Sequence, residues 1–432
     1  MRRVFAIVRI VLKGVGDETN IPQDKNKFCH QANFKMRKEI YLDNAATTKV
    51  DEKVVKAMLP YFTEKYGNAS STHLMGEEAK RAIEEARAVI AKSIGAKYKE
   101  IIFTGSGTEA NNLVLKGLFF QNYPEGSEQS SGLARPGLVK QKNHIIIVKI
   151  EHDCIYNASK WLETQGAKVT YLDVDEEGFV NPKDVESVIT DKTIVVSIIH
   201  GNNEIGTIQD LGAIGKICRD KGVLFHTDAC QSYTKMAIDV KKQNVDLMTV
   251  NAQKIHGPKG VAALYIREGV KIVPLLHGGG HEFNLRSSTE NVPGIVGFAK
   301  AVKIARNRDT KKMIKLRDKL IDGLLKIKNV KLNGPRENRL CNNVNVSFNN
   351  IEGEAIGSFL NAKGIFGSTG SACSSKSLEP SHVLLAIGLT PLEANSSIRL
   401  SLSKYNTEEE IDYVLKKLKE IVEKLRSISP LK

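Results

Sequence analysis

The chain has no stretch approaching the ~18 consecutive apolar residues that a membrane-spanning helix needs, so no such helix and no membrane partner are expected. It has six cysteines, at positions 29, 154, 218, 230, 341 and 373, and no two of them form a CxxC pair. That spacing supports neither a disulfide framework nor a zinc ribbon, and it fits a reducing compartment. With 41% hydrophobic and 26% charged residues, the composition excludes a disordered or collagen-like chain. No internal repeat is visible. The net charge of +14 looks at first like a nucleic-acid footprint, but it is not spread along the chain. Almost all of it lies in residues 1–38 and 300–331, and the remainder is close to neutral. Two local patches do not make a groove that tracks phosphates, so no direct stable nucleic-acid binding is expected.

At roughly 150 residues per domain, 432 residues imply two or three domains. Residues 1–38 read as an N-terminal extension. Arg2, Arg3, Arg9 and Lys13 alternate there with apolar residues. Arg9 interrupts the apolar stretch and no small-residue cleavage site follows, which argues against a secretory signal. Two readings stay open: an over-long start, which leaves a cytoplasmic protein, or a presequence directing the chain to a mitochondrion or a mitochondrion-derived organelle.

From residue 76 the apolar spacing is helical: Ala79, Ala82, Ile83, Ala86, Val89 and Ile90 share a face, and Gly95 follows as a stop. Seven short apolar runs come next, at 101–103, 145–150, 169–172, 194–199, 223–225, 246–250 and 261–266, most of them separated by helix-length segments. This predicts an α/β fold with a large domain at 56–305 built on a mostly parallel seven-stranded sheet covered on both faces. The Gly/Ser/Pro/Gln-rich stretch Tyr123–Gln141 reads as a surface insertion. Residues 39–55 and 306–432 read as a smaller α+β domain. It has strands at 343–348 and 397–402, a Gly/Ser loop at 367–375, and a final helix opened by Thr407 and Glu410 at capping-box spacing.

In open α/β sheets ligands bind where strands end, so those positions were compared. They carry Gly105–Glu109, Glu151-His152, His200–Glu204, His226–Gln231 and Asn251–Lys254. Gly105, Gly107 and Ala110 match a dinucleotide fingerprint, but the acidic partner ~20 residues on is missing from a second strand end. The same turn can hold one phosphate on a helix N-terminus, with help from the Thr108 hydroxyl. A phosphate anchor, a strand-end carboxylate, a histidine and a lysine together point to pyridoxal 5'-phosphate. Lys254 would form the Schiff base, Asp228 would hold the pyridine nitrogen protonated, and His152 would stack on the ring. Gln231 would donate to the phenolic oxygen, and Asn203 would reach that oxygen or the substrate. Cys373 lies among small residues near Lys376, the setting of an exposed, electropositive nucleophile. Cys230 reads as packing under the ring; Cys29, Cys154, Cys218 and Cys341 read as structural. Arg399 is a candidate fork for a substrate carboxylate.

The segments Tyr41–Thr48, Asn202–Gly206, His277–Glu282, Gly370–Cys373 and Ser396–Arg399 resemble those of cysteine desulfurases of the IscS/NifS group, within the fold-type I, class V aminotransferases. The likeness runs from about Glu39 to Pro430 and leaves out the 123–141 insertion. It implies a homodimer that takes sulfur from L-cysteine, releases alanine and carries a persulfide on Cys373 to an iron-sulfur scaffold or a tRNA-modifying acceptor. It implies catalytic roles for Lys254, His152 and Cys373. Phosphate contacts would come from Gly107, Thr108, Asn251 and Gln253, and from Thr289 across to the neighbouring subunit; Asn203 and Arg399 would hold the substrate carboxylate. No resident metal is implied, although Cys373 can be shared transiently with a scaffold's cluster.

The long loop around Cys373 is like that of this group rather than the SufS group. Three departures stand out: Gln253 where the family has histidine, Ser288 where it has glycine, and Cys230 where it has Ala, Val or Thr. The changes at the phosphate site keep an alternative open, a weakened paralogue that docks in a sulfur-transfer complex through the basic 300–331 surface. A selenocysteine lyase-like enzyme is a further alternative.

Overall fold

The computed structural model describes residues 39–122, 142–369 and 379–428. The basic leader, the 123–141 insertion and Cys373 with most of its loop lie outside the described residues. Glu39–Lys432 is one compact unit.

Seven strands form the central sheet: β2 (Ile101–Thr104), β3 (His144–Val148), β4 (Lys168–Leu172), β5 (Thr193–Ser197), β6 (Leu224–Asp228), β7 (Leu247–Asn251) and β8 (Ala262–Ile266). Their order is β2-β8-β7-β6-β5-β3-β4, and β8 alone runs against the others. The expected mostly parallel sheet is therefore present. Its strands read as unbroken apolar runs because both faces are covered: β3, β5, β7 and β8 are buried at every position, β6 at all but Leu224, and the edge strand β4 is the most open. Phe103, Ile146, Val148, Val196 and Met248 face one core, while Ile102, Ile145, Ile147 and Val195 face the other.

Helix α1 (Leu74–Ser93) covers the first core with Ala79, Ala82, Ile83, Ala86 and Ile90. It ends where Gly95 takes a left-handed φ of 74°, as its glycine stop predicts. Helix α2 (Gly107–Gln121) starts directly after β2 and covers the second core. Helix α3 (Asp153–Glu163) starts after β3. Because β2, β3, β5, β6 and β7 run the same way, their carboxyl ends, with the residues that follow them, meet along one edge.

A second sheet, β12 (Ser397–Ser401), β10 (Asn343–Phe348) and β9 (Val330–Leu332), is antiparallel. The basic helix α4 (Asn307–Leu325) and the final helix α5 (Glu408–Ile428) pack on it through Leu316, Leu320, Ile321, Val414, Leu418 and Ile421. The capping box before α5 forms as expected: the Glu410 amide donates to the Thr407 hydroxyl at 3.3 Å, and the Thr407 amide donates to the Glu410 carboxylate at 3.3 Å. Strand β1 (Ile40–Tyr41) pairs in parallel with β11 (Ile365–Phe366), which puts Ile40 and Leu42 in a third core, the one between this antiparallel sheet and its helices. Part of the charge on α4 is met within the fold, since Lys319 pairs with Asp412 at 2.6 Å and with Glu408 at 3.1 Å. Among the described residues no helix is long and apolar enough to cross a membrane.

Candidate active site

A cleft of about 270 Å³ opens at the shared carboxyl edge of the sheet. It collects Gly107, Thr108, His152, Asn203, Asp228, Gln231, Asn251, Gln253, Lys254 and Arg399, all expected from the sequence, although they lie up to 292 residues apart. Of the expected site residues, Thr289 is not in this cleft, and Cys373 lies outside the described residues.

At one end α2 points its N-terminus into the cleft. The Ser106 hydroxyl caps the helix by accepting from the Glu109 amide at 3.1 Å, and the Glu109 carboxylate accepts from the Gly105 amide at 2.8 Å. A Cβ on Gly107 would lie 3.0 Å from the Cys230 sulfur and 3.6 Å from the Asn251 amide nitrogen, so glycine is what lets the helix begin this close to both. The buried Asn251 Oδ1 has no hydrogen-bond partner among the described residues. A buried amide left in this state is a place for a ligand group, and turned over it offers its N–H to an anion. Helix N-terminus, glycine cradle and unmatched amide together fit a phosphate.

Asp228, the last residue of β6, is buried at the middle of the cleft. Its two oxygens accept from the Asn111 amide at 2.7 Å and from the Cys230 N–H at 2.8 Å, which fixes the plane of the carboxylate. Lys254 sits in the turn after β7. Its Nζ donates to the Ala46 carbonyl at 2.6 Å and also to the Ala45 carbonyl. Gln231, expected to serve a cofactor oxygen, gives its amide nitrogen to that same Ala45 carbonyl at 2.9 Å.

His152 caps α3: its Nδ1 accepts the Cys154 amide at 3.1 Å. Burial lowers its pKa against the pull of Asp228, so the ring is neutral with the proton on Nε2. Glu151 beside it is fully buried; burial first, and Asp228 second, push its carboxyl well above the usual range.

Arg399, the middle residue of β12, is buried at the other end of the cleft. It donates to the Asn203 backbone oxygen at 3.2 Å and to Asp43 at 3.0 Å, and its buried Nε has no partner among the described residues. The ion pair with Asp43 is thus an internal one. Asn203 itself also lines the cleft.

Two further cysteines border this space. Cys230 is buried against Gly107 as expected, whereas Cys154, read from sequence as structural, lines the cleft and touches His152 Nδ1 at 3.1 Å. Burial pushes the Cys154 thiol up to about 12 and the Cys230 thiol well above its usual value, with Asp228 adding to both. Neither is a thiolate at neutral pH, so neither is a ready nucleophile. Sequence reasoning also missed Asn111 and the Ala45 and Ala46 carbonyls. Asn111 stands four residues after Gly107, one helical turn on, which was a usable signal. A backbone carbonyl leaves none.

Thr289 lines an adjoining hollow with Gly105, Arg286 and Ser288. Ser288 stands where the resemblance implies glycine, and this turn does not need one: the φ of Ser288 is not positive, and its hydroxyl accepts from Arg286 while donating to the Thr289 carbonyl at 3.0 Å. Arg286 in turn reaches Glu109 at 2.8 Å, tying this turn to the start of α2.

A family model described as aminotransferase class-V matches residues 40–414. The chain is 49% identical over 397 residues to cysteine desulfurase IscS of Methanosarcina thermophila, covering 91% of this chain and 94% of that one. It is 48% identical over 402 residues to cysteine desulfurase IscS of Clostridium botulinum, covering 92% and 97%. Among solved structures, a NifS-like protein superposes with a TM-score of 0.81 at 41% identity, covering 90% of this chain and 100% of that one. A structure of SspA in complex with cysteine gives 0.74 at 35% identity, covering 85% and 100%. The chain belongs to the class-V aminotransferases, a family of pyridoxal-phosphate enzymes.

Proposed function

We propose that this protein is a cysteine desulfurase acting as a homodimer, with residues 39–55 and 306–432 forming a substrate-side domain against the body at 56–305. The observation that carries the activity is the convergence of Lys254, Asp228 and His152 on one cleft that ends at Arg399, in a chain nearly half identical to cysteine desulfurases.

Gly107, Thr108, Asn251 and Gln253 would hold the phosphate, Asp228 the pyridine nitrogen, Lys254 the aldehyde carbon, and His152 the ring face. Bound there, pyridoxal phosphate supplies an electron sink for the substrate's α-carbon. Arg399 and Asn203 hold the carboxylate of L-cysteine, and the rigid pairing with Asp43 sets the direction of the guanidinium. Neutral His152 has one proton to give, from Nε2, and Lys254 takes and returns protons at Nζ. The Cys373 thiolate attacks the substrate sulfur; the S–S bond forms as the C–S bond breaks. The substrate carbon is protonated, so cysteine and the enzyme thiol become alanine and the enzyme persulfide. The persulfide sulfur then goes to an iron-sulfur scaffold or another thiol acceptor. In the dimer, Thr289 serves the phosphate of the neighbouring subunit.

The test is to load the purified protein with pyridoxal phosphate and supply L-cysteine with a reductant. Alanine and sulfide are expected in equal amounts, and Cys373→Ala abolishes both. A chain that takes up no cofactor, or a Cys373→Ala variant with full sulfide production, overturns the reading.

A further inference from the structure

Behind the cleft lies a second, smaller cavity of about 50 Å³, room for one or two waters. Three lysines line it: Lys404, which pairs with Asp51, Lys254, which also faces the cleft, and Lys235, which no step above uses. Lys235 follows Thr234, whose φ of 59° is left-handed, an uncommon and costly conformation for a β-branched residue. That kink brings Lys235 back onto the turn that bears Asp228 and Gln231, where its Nζ donates to the Gln231 carbonyl at 2.7 Å. The Gln231 side chain holds the Ala45 carbonyl at 2.9 Å, and Lys254 donates to that same carbonyl. The two lysines are therefore linked through Gln231, whose backbone carbonyl takes Lys235 and whose side chain shares the Ala45 carbonyl with Lys254. A buried polar atom, Asn342 Oδ1, borders the same cavity without a partner among the described residues.

We propose that Lys235 is a positioning residue for Lys254: a second cation held behind the cleft, whose field keeps the Lys254 amine neutral and whose hydrogen bond keeps it aimed. An amine must be neutral to attack a carbonyl carbon, and a neighbouring cation is one of the few ways to make a lysine so near pH 7.

The other charges around the pair leave this role to Lys235. Cys230 and Cys341 face Lys235; both are held as neutral thiols, chiefly by burial. His256, in the turn after Lys254, is pushed down to about 4 by burial and is uncharged. Lys404 is matched by Asp51 at 2.6 Å, while Arg306 and Asp309 stand at the mouth with opposite signs. On the other side Lys254 shares the cleft with neutral His152, the carboxylate of Asp228 and Arg399, whose charge is met by Asp43 at 3.0 Å. Lys235 itself is lowered to about 8, first by burial and then with a contribution from Lys254, so it still carries its charge at pH 7.

The proposal rests on Lys254 being the lysine that takes the cofactor, but its test does not need turnover. In the cofactor-free protein, the rate at which an amine-directed acylating reagent labels Lys254 is followed against pH by peptide mass spectrometry. Lys235→Met and Lys235→Gln are expected to raise the labelling midpoint of Lys254 by about one pH unit, which from a midpoint near 7 slows labelling about fivefold at pH 7. Lys235→Arg, which keeps the charge, is expected to restore the midpoint. Glutamine can still donate to the Gln231 carbonyl, so it separates charge from hydrogen bonding. Thermal melts of each variant show that the fold is kept, and Gln and Arg stand in if Met does not fold. An unchanged midpoint in Lys235→Gln overturns the proposal. Failure of Lys254 to bind cofactor at all overturns the functional reading instead, leaving the labelling result readable on its own.

Discussion

Gln253 lines the cleft at a position where the resemblance implies a histidine, so it offers the proposed phosphate a neutral donor in place of an imidazole. The described side chains at that end, Ser106, Thr108, Asn251 and Gln253, are all uncharged. A charge-assisted hydrogen bond contributes about 1 kcal/mol more than a neutral one, so Gln253→His should tighten pyridoxal phosphate about fivefold. Titration of the cofactor-free protein, followed by the absorbance of the bound cofactor, checks this. Site residues such as Lys254, Asp228 and His152 were legible because each stands at or just after the end of a strand, where an open α/β sheet places ligands. Cys154 was misread for lack of a helix direction: only the start of α3, aimed across the cleft and capped by His152, turns that thiol toward the site.

At the scale of an element, the short turn Glu282–Asn284 has three consecutive left-handed residues, with φ of 49°, 57° and 64°. The sequence offers the motif His277–Glu282 without its reason, and the structure supplies one. Glu282 is buried and grips Arg87 of α1 with both oxygens, at 2.6 and 2.9 Å, while accepting the Phe103 amide of β2 at 2.8 Å. Arg87 is also covered by the rings of Phe103 and Phe283, each about 5 Å away. This one carboxylate pins helix, edge strand and strained turn together, beside the segment that carries Arg286 and Thr289. Arg87→Leu strands a buried charge and should cost ~3–5 kcal/mol, read as a lower denaturant midpoint at unchanged slope. Glu282 lies 195 residues from Arg87, so pattern alone gives no hint that they meet.

Over the whole molecule, His200 and His226 are buried and pushed down to about 4. Each is neutral in the fold and protonates near 6.5 when unfolded, so its contribution is complete above pH 6.5 and is lost as pH falls toward 4. From pH 7 to pH 5 each should cost about 2 kcal/mol. The buried carboxyls of Glu151 and Glu204, raised by burial, act in the opposite sense. A difference measurement isolates one histidine: His226→Gln should lose less stability between pH 7 and pH 5 than the parent, by about 2 kcal/mol in chemical denaturation. A second whole-molecule expectation concerns assembly. Phe62, Tyr66 and Leu74, at 58%, 66% and 83% exposure, are apolar side chains that a dimer would cover. Sedimentation should give twice the chain mass, and Leu74→Asp should shift it toward the monomer while weakening cofactor binding, the outcome expected of the proposed reach of Thr289 into the neighbouring subunit.

The sequence by itself determined the fold class, the strand and helix order, and the chemical identities at the strand ends. These are local matters: apolar runs, periodicity, caps and the residues next to them. Tertiary structure alone decided that Asp228 is held by Asn111, that Lys254 and Gln231 share the Ala45 carbonyl, that Arg399 is tied to Asp43, and that Lys235 stands behind Lys254. Each of these pairs joins separate segments, and two of them meet only through backbone carbonyls, which every residue has. No residue type marks such a partner, so only the packed chain shows it.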